Sequence, residues 1–301
     1  MNKQNSLRLL TIIASLVCAG GLAWLGFSWR DKHQQVQSLR QADRLLDKKQ
    51  YDLAIEAYDR LLATNAAPDY SILINRGYAF LGLNRHRDML ESCSSATSIE
   101  PDAALGWNCQ GEALYHLQQY QNALEAFNLA TEKNPQESTF WLNQARVLSE
   151  LQQYNKAIAA SDRAIKLIES SPNNGANPVN SLAIAFELKG QNLLKLQQYS
   201  ESLEAFERAL KSSPEYLSAQ QGKGVALYEL GKYREAISVF GQILQRDDLT
   251  ERQKAMSLLY TGVSLCQIQK NTPAERAFQE VLQLTTDAQS QEIAQKGCGI
   301  Y

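Results

Sequence analysis

Histidine and paired cysteine are scarce in this 301-residue chain, and that scarcity removes several chemistries at once. Only His33, His86 and His116 are present, and none stands at a metal-ligand spacing from cysteine or carboxylate. No HExxH helix, no CxxC pair and no phosphate-cradling glycine loop occurs. His86-Arg87-Asp88 matches a kinase catalytic triplet in letters only. Position 93, where that motif needs asparagine, is cysteine, and no nucleotide loop precedes it. Gly222-Lys223-Gly224 follows no strand and reads as helix packing. The chain is therefore read as having no catalytic residues, no metal site and no cofactor.

Concentrated positive charge is missing too. The sequence holds 30 basic and 32 acidic side chains, of which Lys3, Arg8, Arg30, Lys32 and the single acid Asp31 fall within residues 1–33. The remainder is mildly acidic, 26 against 31, and offers no clustered cations to release counterions from a polyanion. Nucleic acid is excluded as a partner on that ground. The five cysteines, Cys18, Cys93, Cys109, Cys266 and Cys298, are scattered and odd in number, which argues against a disulfide framework. They read as buried, inert thiols, and Cys298 in KGCGIY has no partner near it in sequence.

One long uncharged run is present. Residues 9–29, LLTIIASLVCAGGLAWLGFSW, lie between Arg8 and Arg30. As a helix they span about 31 Å, the thickness of a bilayer core. Trp24 and Trp29 lie toward one end, where indoles favour the headgroup boundary. A signal peptide cleaved near Val17-Cys18-Ala19 is the competing reading, but the apolar run continues well past that point. The expected layout is a short polar tail at 1–8, a transmembrane helix at 9–29 and a linker at 30–35. Basic residues flank both ends, and a single-pass protein with its body on the extracytoplasmic side is the reading adopted.

The body repeats itself. LQQY stands at Leu117–Tyr120, Leu151–Tyr154 and Leu196–Tyr199, at spacings of 34 and then of 34 plus an insertion of 11. Periods in this range mark stacked helical units. Extending outward recovers GWNCQGEALYHLQQYQNALEAFNLATEKNP, FWLNQARVLSELQQYNKAIAASDRAIKLIE and AFELKGQNLLKLQQYSESLEAFERALKSSP. In the first, Trp107, Gly111 and Leu114 recur at intervals of three and four and so share one helix face, as do Ala123, Phe127 and Ala130. Small residues at Gly111 and Ala123 let two helix axes approach, and Pro135 stops the second helix.

These residues fill the signature places of the tetratricopeptide repeat family, which the chain resembles. The family implies an all-α, right-handed superhelical solenoid of about seven helix-turn-helix units spanning 36–286. The units lie near 36–68, 70–101, 104–135, 138–169, 183–214, 217–248 and 255–286. A loop at 170–181 carries the 11-residue insertion, a smaller insertion lies near Arg246, and a capping helix and tail occupy 287–301. Gln220 stands where unit six should have a bulky residue. Anchored chains with glutamine-rich connections of this kind resemble bacterial, including cyanobacterial, assembly proteins.

The resemblance also implies where partners dock. First helices line a concave groove, and their inward positions are Asn108, Glu112, Tyr115 and His116, then Leu142, Arg146 and Glu150, then Glu187, Gln191 and Lys195, and finally Tyr228 and Glu229. Mixed aromatic, charged and polar groups suit an extended peptide or partner helix. A clamp for a terminal carboxylate is rejected in units one to three, where only Asn75 falls in place. The reading is a non-enzymatic, membrane-anchored scaffold or assembly factor for protein or peptide partners, with no small-molecule substrate. The alternative is an accessory subunit of a membrane-bound enzyme or secretion complex.

Overall fold

The computed structural model describes residues 33–64, 69–170 and 178–300. Within them the chain forms α-helices and one 3₁₀ turn, and no strand. The apolar run at 9–29 and most of the 170–181 loop lie outside the described residues. Among the described residues no helix is long and apolar enough to cross a membrane.

The chain divides into two compact bodies, one ending at Gln119 and the other beginning at Tyr120. The first contains α1 (33–47), α2 (Tyr51–Thr64), α3 (Tyr70–Gly82), α4 (His86–Ile99) and α5 (Ala104–His116). The second contains α6 (Tyr120–Lys133), α7 (Ser138–Glu150), α8 (Tyr154–Ser170), α9 (Pro178–Lys195), α10 (Tyr199–Ser212) and α11 (Leu217–Glu229). It continues with α12 (Tyr233–Ile243), α13 (Glu251–Gln267), α14 (Asn271–Leu284), α15 (Ala288–Lys296) and the 3₁₀ turn Gly297–Ile300. From α6 to α15 each helix packs on the next, while α7, α9, α11 and α13 also touch in turn. Alternate helices thus form one layer.

The turn inside each hairpin is set by one backbone device. Lys49, Asn84, Gln118, Gln152, Gln197, Gly231 and Gln269 all adopt left-handed φ between 57° and 72°. The amide of the following residue reaches back to the carbonyl of Leu45, Phe80, Leu114, Leu148, Leu193, Leu227 or Leu265 at 2.8 to 2.9 Å. This is the Schellman closure of a helix end. The large apolar residue of the signature therefore supplies both the packing side chain and the acceptor that ends its own helix. LQQY is the sequence of that closure, its first glutamine being the left-handed residue.

Core packing follows a spacing of sixteen. A Cβ placed on Gly190, Gly224 or Gly262 would come within 2.9, 2.5 or 2.6 Å of the rings of Phe206, Phe240 or Phe278. Each ring lies against the backbone of the preceding helix, which only glycine permits. A Cβ on Gly222 would come closer still to Phe206, within 2.3 Å, so Gly222-Lys223-Gly224 is a packing feature. The bulky position has a second task. The indole N–H groups of Trp107 and Trp141 donate to the carbonyls of Pro101 and Pro135 at 2.8 and 3.0 Å. Gln220 donates its amide to the Pro214 carbonyl at 2.9 Å, reproducing the hydrogen bond without the ring. The smaller insertion is a turn built on Arg246, which binds Asp248 through two nitrogens at 2.8 and 2.9 Å and Glu215 at 3.1 Å. Thr250 and Gln253 then close a capping box on α13.

The cysteines overturn the reading of inert thiols. Cys93 is bonded to Cys109 with Cα atoms 5.6 Å apart, and Cys266 to Cys298 with Cα atoms 5.2 Å apart. Parity misled because an odd total still lets four of the five cysteines pair. Spacing misled because a solenoid brings a residue of one helix beside one of the next, here α4 and α5. Cys298 finds its partner because the Gly297–Ile300 turn folds back against α13.

Candidate functional site

In the first body, the predicted groove positions lie on α5. Asn108 is buried at 3% exposure. Burial, and then the charge of Glu112, push the Tyr78 pKa well above the ordinary phenol value. His116 ends α5 and stacks on His86, which begins α4, with centroids 4.7 Å apart and planes within 11°. Tyr115 meets His116 edge-on at 5.6 Å. Thirty residues separate the two histidines in sequence, so only the fold reveals this pair. No group of three or more metal-ligating side chains occurs among the described residues.

In the second body, the layer formed by α7, α9 and α11 contains a hollow of about 370 Å³. Gln191, Lys195 and Glu229, all predicted from the repeat register, line it. Leu194 and Val225 give it apolar walls, and Ser149 and Gln197 add polar ones. Tyr199 was missed because it opens α10, a second helix of its hairpin, although the recurrent LQQY tyrosine is the signal that could have found it. Desolvation, and then the charge of Glu229, raise its pKa.

Other predicted positions hold the layer together. Glu187 is 5% exposed and accepts hydrogen bonds from Ser218 on α11, at 2.5 Å, and from Gln191 one turn along α9. Burial raises its pKa, while Ser218, Arg146 and Gln191 pull the other way. Leu142 is 6% exposed, a core residue of α7. Tyr228 packs on Tyr260 and Tyr233, with centroids 5.6 and 5.7 Å away. Glu150 is exposed and Arg146 half-buried. Gln221 bridges α11 to α13 through the Gln253 carbonyl at 3.2 Å.

A second hollow, of about 360 Å³, lies among α6, α7 and α8, between Leu124, Trp141, Leu148, Ala159 and Ala160. Asn128 and Gln144 join across its edge at 2.8 Å. Sequence reasoning did not find it.

Such an arrangement of paired helices, each packed on the next and with alternate helices in one layer, defines a helical-repeat protein. Tetratricopeptide repeats match at residues 39–103, 104–137, 138–171, 188–249 and 222–289, and the chain belongs to the tetratricopeptide repeat family. Solved structures of the same fold include a tetratricopeptide repeat protein from Parabacteroides merdae, 17% identical over 87% of this chain and 97% of that one, with a TM-score of 0.60. PilW, described as a widely conserved type IV pilus biogenesis factor, is 18% identical over 75% of this chain and 98% of its own, with a TM-score of 0.65. YrrB, described as having an unusual peptide-binding site, is 19% identical over 69% of this chain and 99% of its own, with a TM-score of 0.53. Comparison with curated proteins gave no match.

Proposed function

We propose that this chain is a membrane-anchored scaffold, without catalysis of its own, that holds an extended segment of a partner protein on the α7–α9–α11 layer. The hollow there carries the reading. It combines a cation, a carboxylate, a tyrosine, amide groups and two aliphatic side chains, which is the chemistry of peptide recognition. Similarity in fold to a peptide-binding protein and to a pilus biogenesis factor supports the same class of role.

The anchor is the uncharged run at 9–29, whose length suits one membrane crossing. Two disulfides support placing the body on the extracytoplasmic side, because disulfides persist in oxidising compartments and are rare in the cytosol. A displayed random-peptide library selected against the full chain tests the binding function, with enrichment of a sequence motif as the expected result. Failure to enrich any motif overturns it. Carbonate extraction tests the tether: the full chain is expected to stay with the membrane, and a chain lacking 1–29 to be released.

A further inference from the structure

The two disulfides have different surroundings. Cys93 and Cys109 are each at 0% exposure, whereas Cys266 retains 8% and Cys298 is partly exposed. They also fasten different things. Cys93–Cys109 joins α4 to α5, two helices packed on each other, while Cys266–Cys298 ties the 3₁₀ turn after α15 to the last turn of α13. α15 caps the second body. It packs on α14 and touches α13, just as α9 packs on α8 and touches α7, so it stands where the first helix of a further unit would stand. Its own hold is slight. Its nine residues make about two and a half turns, too short for a helix stable by itself in water. Ala294 is its buried residue, and Ile293 is partly buried against the α13–α14 core. The Ser290 amide donates to the Asp287 carboxylate, the Gln291 side chain donates to the Thr285 carbonyl, and Lys296 pairs with Glu292. These bonds stiffen the cap without fastening it to α13. Gly297, at a φ of 57°, turns the chain and brings Cys298 back to Cys266.

We infer that Cys266–Cys298 is a redox latch: a dithiol reductant opens it while Cys93–Cys109 stays closed, and α15 then leaves the α13–α14 face. The inference is independent of the peptide-binding reading. Exchange begins when a thiolate attacks a disulfide sulfur, so access to sulfur decides which bond opens first. The dithiol's thiolate attacks Cys298, the more exposed of the pair, and expels Cys266. Its second thiol closes on the mixed disulfide and releases Cys298. Two electrons pass to the protein, the reagent leaves as a cyclic disulfide, and its two protons, exchanged through water, end on the two cysteines. With the crosslink gone, the segment between the cysteines regains its freedom. The short helix is then held by Ala294 and Ile293 alone, and its departure uncovers the side of α14 on which it packs.

The full chain, oxidised and without denaturant, is treated with increasing dithiothreitol, and the freed thiols are alkylated and located by peptide mass spectrometry. Cys266 and Cys298 should open at about tenfold less reductant than Cys93 and Cys109. At that concentration, amide hydrogen exchange should accelerate about tenfold or more over residues 288–296 and stay unchanged over α4 and α5. Untreated Cys298→Ser should show the same fast exchange at 288–296, and oxidised glutathione added to the reduced parent after removal of dithiothreitol should restore the slow rate. Equal or earlier opening of Cys93–Cys109 overturns the inference, as does slow exchange at 288–296 in the reduced parent. Loss of protection throughout α13 and α14 would mark the bond as a staple of the whole hairpin and overturns the latch as well.

Discussion

Left-handed residues recur once per hairpin, and in six of the seven turns they are not glycine. An L-residue in that conformation costs roughly 1–2 kcal/mol, which the Schellman hydrogen bonds offset. Gln152→Gly removes the steric cost and adds about 0.5–1 kcal/mol of unfolded-chain entropy, so stability should hold or rise slightly. Gln152→Val, β-branched at positive φ, should lower it by roughly 1–2 kcal/mol. Denaturant melts of the two variants check the order, and a valine variant as stable as the parent would contradict it. Glu187 makes a second residue-scale case. Burial raises its pKa above the ordinary 4.5, so the folded state keeps a proton that the unfolded chain has lost. Stability therefore falls as pH climbs from that ordinary value through the raised one. Glu187→Gln keeps an acceptor for Ser218 and removes the titration. Its melting temperature should fall less between about pH 4 and pH 7 than the parent's, and parallel profiles would sink the argument.

Each hairpin closes its core with a side chain sixteen residues beyond a small one, and α4 does this with sulfur. A Cβ on Gly77 would lie 3.0 Å from the Cys93 sulfur and 3.1 Å from that of Cys109, so the disulfide fills the space that Phe206 fills over Gly190. Cys93→Ser with Cys109→Ser loses both the packing and the crosslink, the latter worth about 3 kcal/mol for a loop of this length. Cys93→Phe with Cys109→Ala should recover part of that loss by restoring the aromatic, leaving the melting temperature between parent and double serine. A phenylalanine variant no better than the serine variant would show that the crosslink alone matters. Periodicity made the hairpins legible, because Trp107, Gly111, Leu114 and their equivalents must face the core wherever the unit is placed. It carried less about the surface. Asn108, Leu142 and Glu187 hold inward register positions yet are buried, since the register gives direction and the neighbouring helix decides exposure. The Cys93–Cys109 bond and the His86–His116 stack were hidden because each joins the second helix of one unit to the first helix of the next, a contact that the signature within a unit does not record.

At the scale of the whole chain, the disulfides bear on the side of the membrane proposed for the body. Positive charge flanks the apolar run on both ends, Lys3 and Arg8 before it and Arg30 and Lys32 after, so the charge rule alone scarcely discriminates. Crosslinks discriminate by chemistry. One pair lies in each body, joining α4 to α5 in the first and pinning the carboxy-terminal turn to α13 in the second. Cytosolic reductants keep such thiols apart, and an oxidising compartment pairs them. Cells producing the full chain should be quenched with acid, denatured, and treated with a maleimide of high mass. Before reduction, Cys93, Cys109, Cys266 and Cys298 should resist labelling, and after reduction all four should shift on a gel. A Cys18→Ser background keeps the fifth thiol from adding to the count. Four labelled cysteines without prior reduction would place the body in a reducing compartment and reverse the orientation proposed for residues 9–29.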